Sequence, residues 1–201
     1  MKKKLLLLML LGVVKANAQT ENSDVSFVND FQFTFGFSNI APNKSMMGDA
    51  HQETFPYFTG RLGIFSYNRF TVGLHAEVQS MHVKSNSYFG AFDYTNVFTI
   101  GPYVSYFQPV SANGLFEPYI SYDYANYTSR GDDKKLTFDS DGLGLGIDYE
   151  HKIGGKAYVT FGVKYSIHKL RSQTNPAWEK YLNNYNFLSF KVGFTFAKNR
   201  L

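Results

Sequence analysis

The chain has 201 residues, of which 44% are hydrophobic, 18% aromatic and only 18% charged, against about 25% charged in ordinary soluble chains. It carries 20 Phe, 15 Tyr and no Cys. Few charges among many aromatics exclude a disordered or nucleic-acid-wrapping chain. The missing cysteine excludes a disulfide framework, a thiol nucleophile, a Cys-ligated metal and a lipoprotein anchor.

The basic start Met1-Lys2-Lys3-Lys4, the apolar run Leu5–Val14 and the small residues of Ala16-Asn17-Ala18 have the order of a secretory signal peptide cleaved after Ala18. The apolar run is ten residues long, too short to cross roughly 30 Å of hydrocarbon as a helix. Residues 1–18 hold four lysines and no acid, so their removal takes the formal net charge from +4 to zero. The basic character therefore belongs to the leader, and nucleic acid loses its electrostatic support as a partner. Residues 19–26 are expected to be a short flexible lead, and residues 27–201 one folded domain.

From there on the apolar period is two, as in strands, and nowhere 3.6. Phe31, Phe33, Phe35 and Phe37 begin the series. Phe58, Leu62 and Ile64 follow, then Phe70, Val72, Leu74, Ala76 and Val78. The fourth run has Phe98, Ile100, Val104 and Tyr106, and the fifth Phe116, Ile120, Tyr122 and Tyr124. Leu143, Leu145, Ile147 and Tyr149 make the sixth, Val159 to Ile167 the seventh, and Leu188, Phe190, Val192, Phe194 and Phe196 the eighth. Eight strands are predicted.

Their connections alternate in length. Tyr67-Asn68-Arg69, a segment ending Asn113-Gly114, and one containing Gly154-Gly155 are short and rich in residues that tolerate positive φ. The other links, about 39–56, 84–95, 128–137 and 169–184, are longer and polar. An even strand number with short turns at one end and long loops at the other predicts an all-β, closed, up-and-down antiparallel barrel of the transmembrane type.

The composition of the two faces gives the barrel its polarity. One carries Phe, Tyr, Val, Leu and Ile, and the other Gly73, Gly101, Gly142, Gly144, Gly146, Gly162 and Gly193 with Thr, Ser and single charges. Small residues suit the narrow interior of eight strands, and an uncharged apolar face suits lipid. A soluble lipocalin-like barrel, with the apolar face inside, is the alternative. Pro102 and Pro118 interrupt the fourth and fifth strands and predict a bulge or an opened ladder there.

The pattern over residues 27–196 resembles the small eight-stranded outer-membrane barrels, including the OmpA membrane domain and the OmpX and OmpW types. It looks closest to the outer membrane protein beta-barrel domain group. Lys191-Val192-Gly193-Phe194-Thr195-Phe196 is similar to the C-terminal signal of such barrels, with Lys191, Gly193, Phe194 and Phe196 in the signal positions and Ala197–Leu201 following. The resemblance implies insertion by the barrel-assembly machinery. It also implies contact with outer-membrane lipid and lipopolysaccharide, periplasmic termini and extracellular loops.

On the predicted inner face Arg61, Glu77, Asp123, Lys164 and Lys191 lie at middle heights, with Asp30, Glu117 and Asp148 nearer the turns. Buried charges survive when paired, so these residues predict a structural plug, with Arg61 reaching Glu77 across a hairpin. A narrow channel for small or apolar solutes is the alternative, and a lipid-modifying enzyme built on Ser166 and His168, with His75 beside Glu77, is a third. No catalytic motif frames those residues, and the spacing of the histidines suggests no metal site or cofactor. Arg130-Gly131-Asp132 reads as a solvated loop tip, and Trp178 as either a rim anchor or a contact residue. Oligomeric state, ligand and subfamily are not legible.

Overall fold

The computed structural model describes residues 26–40, 45–85, 92–131, 135–171 and 179–197. The expected leader, the lead as far as residue 25, Asp132 and Trp178 lie outside the described residues. Nine strands run in chain order: β1 (Ser26–Ile40), β2 (His51–Tyr67), β3 (Phe70–Val83), β4 (Tyr94–Tyr106), β5 (Gln108–Pro109), β6 (Gly114–Arg130), β7 (Lys135–Gly154), β8 (Ala157–Leu170) and β9 (Asn184–Phe196). Two short helices, α1 (Met46–Ala50) and α2 (Glu179–Asn183), sit in the first and last long connections.

All pairings are antiparallel, and β1 closes on β9 from Phe31↔Phe196 to Ile40↔Phe187. β4 pairs directly with β6, leaving β5 as a two-residue piece against the start of β6. The ring therefore has eight strands. Closure leaves no edge strand, which is what lets a sheet sit in hydrocarbon. The β2–β3 turn has two central residues, Asn68 and Arg69, at φ 45° and 71°. That primed geometry matches the twist of the flanking strands.

The faces are sorted as for a membrane. Phe31, Phe33, Phe35 and Phe37 on β1 are 43–46% exposed, while Gln32 and Thr34 between them are buried. The same holds on β8, where Phe161 and Ile167 face out and Lys164, Ser166 and His168 face in. The soluble alternative required the opposite sorting. A belt of exposed aromatic and aliphatic side chains running right round the ring far exceeds the patches that soluble monomers expose.

The strands outrun their apolar runs. The segment 128–137, expected to be a long loop, is mostly ladder: β6 and β7 stay paired without a break from Gly114↔His151 to Arg130↔Lys135. Ala125, Tyr127 and Ser129 continue the buried phase while the outward residues turn polar. The apolar period marks where hydrocarbon ends, and the strand runs on past it.

Pro102 and Pro118 open one seam. The β4–β6 ladder skips from Ile100↔Tyr124 to Tyr103↔Ser121, and from Ser105↔Tyr119 to the Gln108↔Phe116 pair of β5, with the register unchanged. The β3–β4 and β6–β7 ladders pass both prolines unbroken. Both missing N–H groups thus belong to the same seam, which opens locally without a bulge. The Tyr122 carbonyl, opposite Pro102 in register, accepts from His75 Nε2 at 3.3 Å.

Gly146 lies opposite Tyr119, and a Cβ there would come within 2.2 Å of the tyrosine Cζ. Gly146→Val is expected to cost about 1–3 kcal/mol by overpacking, read as a lower urea midpoint in detergent micelles. The penalty should largely vanish in a Tyr119→Ala background, and additive losses would show that the ring is not what fills this space.

Candidate functional site: a filled lumen

The interior divides into three storeys. Nearest the turns, Arg61 bonds Glu117 Oε2 at 3.0 Å and Asp148 Oδ2 at 2.7 Å, and Lys191 bonds the same Asp148 oxygen at 3.0 Å. Gln32 accepts from Arg61 Nε at 2.9 Å and donates to Asp148 at 3.0 Å. The Arg61 guanidinium lies 4.4 Å from the Tyr119 ring centre and 5.1 Å from that of Tyr103, and Lys191 sits 4.9 Å from Tyr119. Both cations thus approach the Tyr119 ring while sharing one Asp148 oxygen. Gly162 leaves the space that Asp148 and Lys191 occupy beside it.

In the middle storey Lys164 bridges Glu77 at 2.7 Å and Asp123 at 2.8 Å. His75 lies between the same two acids, 3.1 Å from Asp123 and 3.4 Å from Glu77. Ser121 donates to Asp123 at 2.6 Å. Arg61 therefore does not reach Glu77, contrary to expectation. Arg61 is directly opposite His75 in register and turns towards the hairpin end, whereas Glu77 lies opposite Thr59 and is held by Lys164.

The third storey, at the loop end, is apolar. Met47 and Ala50 of α1 pack with Met81, Val97, Tyr127, Tyr185 and Phe187. Tyr127 meets Tyr185 edge-on at 5.4 Å, and the His168 ring stacks on Tyr185 at 5.4 Å. α1 is capped by Ser45, whose Oγ accepts from Gly48 N–H at 3.2 Å. His51 ties the helix to the rim: Nδ1 donates to Met47 O at 3.1 Å, leaving Nε2, 2.8 Å from Thr95 Oγ1, to accept. From α2, Tyr181 donates to Asp49 at 2.9 Å. This plug escaped the sequence reading. Its signal was the phase of β9, since Lys191 and Ser189 point inward and the same parity reaches Phe187 and Tyr185.

Ser166 and His168, on which the enzyme alternative rested, do not bond each other. Two residues apart on one strand, their side chains stand about 7 Å apart, and His168 Nδ1 instead meets Ser140 Oγ on β7 at 3.2 Å. His168 Nε2 is 3.8 Å from Asp123, too long for a hydrogen bond. Ser140, His168 and Asp123 are all buried, with Ser140 beside Ala125 and Leu170 of the plug. A Ser–His contact is present, but the hydrogen-bonded acid that would complete an acyl-transfer triad is not. Among the described residues no group of three or more His, Asp or Glu is arranged to hold a metal ion. Of the signal-motif residues, Lys191 and Gly193 face the lumen, while Phe194 and Phe196 face outward from the strand that closes the ring.

No family model and no curated protein sequence matches the chain. Its structure is similar to that of Neisserial surface protein A, with a TM-score of 0.57 at 11% identity, covering 87% of this chain and 99% of that one. It is also similar to the outer membrane protein OprG of Pseudomonas aeruginosa, with a TM-score of 0.52 at 14% identity, covering 86% and 97%. The fold is that of the small eight-stranded outer-membrane β-barrels.

Lys164 bridges Glu77 and Asp123 from a third strand. Lys164→Met is expected to cost about 3–5 kcal/mol by stranding them, read by urea unfolding in micelles. Adding Glu77→Gln and Asp123→Asn should recover most of that loss, and no recovery would mean the lysine acts by packing alone.

Proposed function

We propose that the chain is a non-enzymatic integral outer-membrane protein with a structural or surface-interaction role, reached by secretion and barrel assembly. Its loops face outward and its termini face the periplasm. The observation that carries this reading is the filled lumen. Two storeys of paired charges and an aromatic–methionine plug succeed one another along the axis. An eight-stranded ring has room for little besides its own side chains. The likeness to outer-membrane barrels supports the location, and the burial of Ser140 and His168 supports a non-enzymatic role. Residues that meet partners then belong to the rim and loops, which a rigid barrel presents.

The purified chain in detergent should migrate differently on a gel before and after boiling, because a closed barrel stays folded until heated. Reconstituted into planar bilayers it should be electrically silent. Steady conductance that changes when Lys164 or Lys191 is neutralised would replace the plug with a channel. A soluble chain with no heat shift would remove the membrane reading altogether.

A further inference from the structure

In the middle storey an amine and two acids from three strands meet in a buried, closely packed group. Lys164 of β8 reaches Asp123 of β6 across β7, which lies between those strands in the ring. The β7 residues opposite Asp123 and Ser121 in register are Gly142 and Gly144, so no β7 side chain stands on that path. A Cβ on Gly144 would collide with Lys164 Cε and Ser121 Oγ, and the lysine stem occupies the space the glycine leaves.

The groups around this pair are those that acyl transfer to an amine requires. Lys164 Nζ is 2.8 Å from Asp123 Oδ2. An amine at hydrogen-bond distance from a carboxyl oxygen stands roughly 3–3.5 Å from its carbon, the spacing of a near-attack arrangement. Glu77 Oε1 accepts from the same amine at 2.7 Å and is placed as its base. The far oxygen of Asp123, Oδ1, accepts from Ser121 Oγ at 2.6 Å and lies 3.1 Å from His75 Nε2. Ser121, and His75 through an Nε2–H, thus face the oxygen on which charge develops when the carbon is attacked. The Lys191–Asp148 contact lacks this set. There Arg61 and Gln32 bond the same Asp148 oxygen as the lysine, the far oxygen Oδ1 has no donor, and among the described residues no second acid bonds the amine.

We propose that Lys164 and Asp123 become joined by an intramolecular amide bond, formed by the folded barrel itself. The salt bridge is the reactant state. Glu77 draws a proton from the ammonium and passes it to Asp123 Oδ2, leaving a neutral amine beside a carboxylic acid. The amine nitrogen attacks Cγ, forming the C–N bond, while Oδ1 takes the charge against Ser121 and His75. Glu77 then carries a second proton from the nitrogen to Oδ2, the Cγ–Oδ2 bond breaks and one water leaves. Ammonium and carboxylate give amide and water, so no oxidant, reductant or co-reactant is needed. Burial favours this direction, because an ion pair carries a desolvation cost that a neutral amide does not. The product staples β6 to β8 over β7 and locks the closed ring.

The test is the intact mass of the full barrel, both as purified from cells and as refolded from urea into micelles and followed in time. The joined chain is lighter by one water. Its tryptic digest should contain a branched peptide linking the segments of Lys164 and Asp123, with no cleavage after Lys164, and the chain held unfolded in urea should not react. Glu77→Gln and Ser121→Ala should each slow the reaction by roughly a hundredfold or more, and Lys164→Arg should abolish it. The heat shift on a gel reports that each variant folds, and where one does not, the wild-type mass and branched peptide decide alone. A full intact mass in both preparations overturns the proposal. So does a water lost elsewhere, as in a cyclic imide at Asp141-Gly142, or a crosslink that forms at the wild-type rate without the Glu77 carboxylate.

Discussion

A peptide group in hydrocarbon has no water to bond, and each unpaired N–H or C=O there costs several kcal/mol. Almost everything else in this barrel follows from that constraint. The sheet must close, so β1 meets β9, and with eight strands the closure is tight. The interior then becomes the place where polar side chains must go, because the outer face belongs to lipid. Once inside, the charges have to satisfy one another.

They do so in two separated groups rather than one. Arg61 and Lys191 serve Asp148, with Glu117 as a second acid for Arg61, and both cations lie against the Tyr119 ring. Lys164 serves Glu77 and Asp123. Glycines opposite and beside these residues supply the volume, as where Gly146 faces Tyr119. The seam opened by the two prolines lies between β4 and β6. There the lumen supplies a substitute, since His75 takes the Tyr122 carbonyl that Pro102 cannot serve. The interior network thus stabilises the wall as well as closing the lumen.

Above the charges the chemistry changes, because the loop end is sealed by the chain's own first connection. Met47 and Ala50 descend into the mouth, and His51 fixes their helix to Thr95 on β4, two strands away. With both axial routes occupied by side chains, the surfaces left for recognition are the rim and the outer wall above the lipid belt. The strands extend well past that belt, which turns part of the outer wall into a rigid, registered surface instead of a loop.

The strand count, the alternation, the outward apolar face and the inward placement of Arg61, Glu77, Asp123, Lys164 and Lys191 are all set by the sequence, because a period of two is a local property of the chain. The seam at Pro102 and Pro118 is legible for the same reason, since proline lacks its donor wherever it stands. Three things were decided only by tertiary structure. Strand ends were hidden, because beyond the hydrocarbon both faces turn polar or mixed and the period fades, as from Asn126 to Thr137. Ion-pair partners were hidden, because they come from strands far apart in sequence, such as Lys164 and Glu77, brought together only by closure. The Tyr127, Tyr185 and Phe187 plug was hidden because an inward aromatic has no local mark to separate it from an outward one, and only the ring's inside and outside tell them apart.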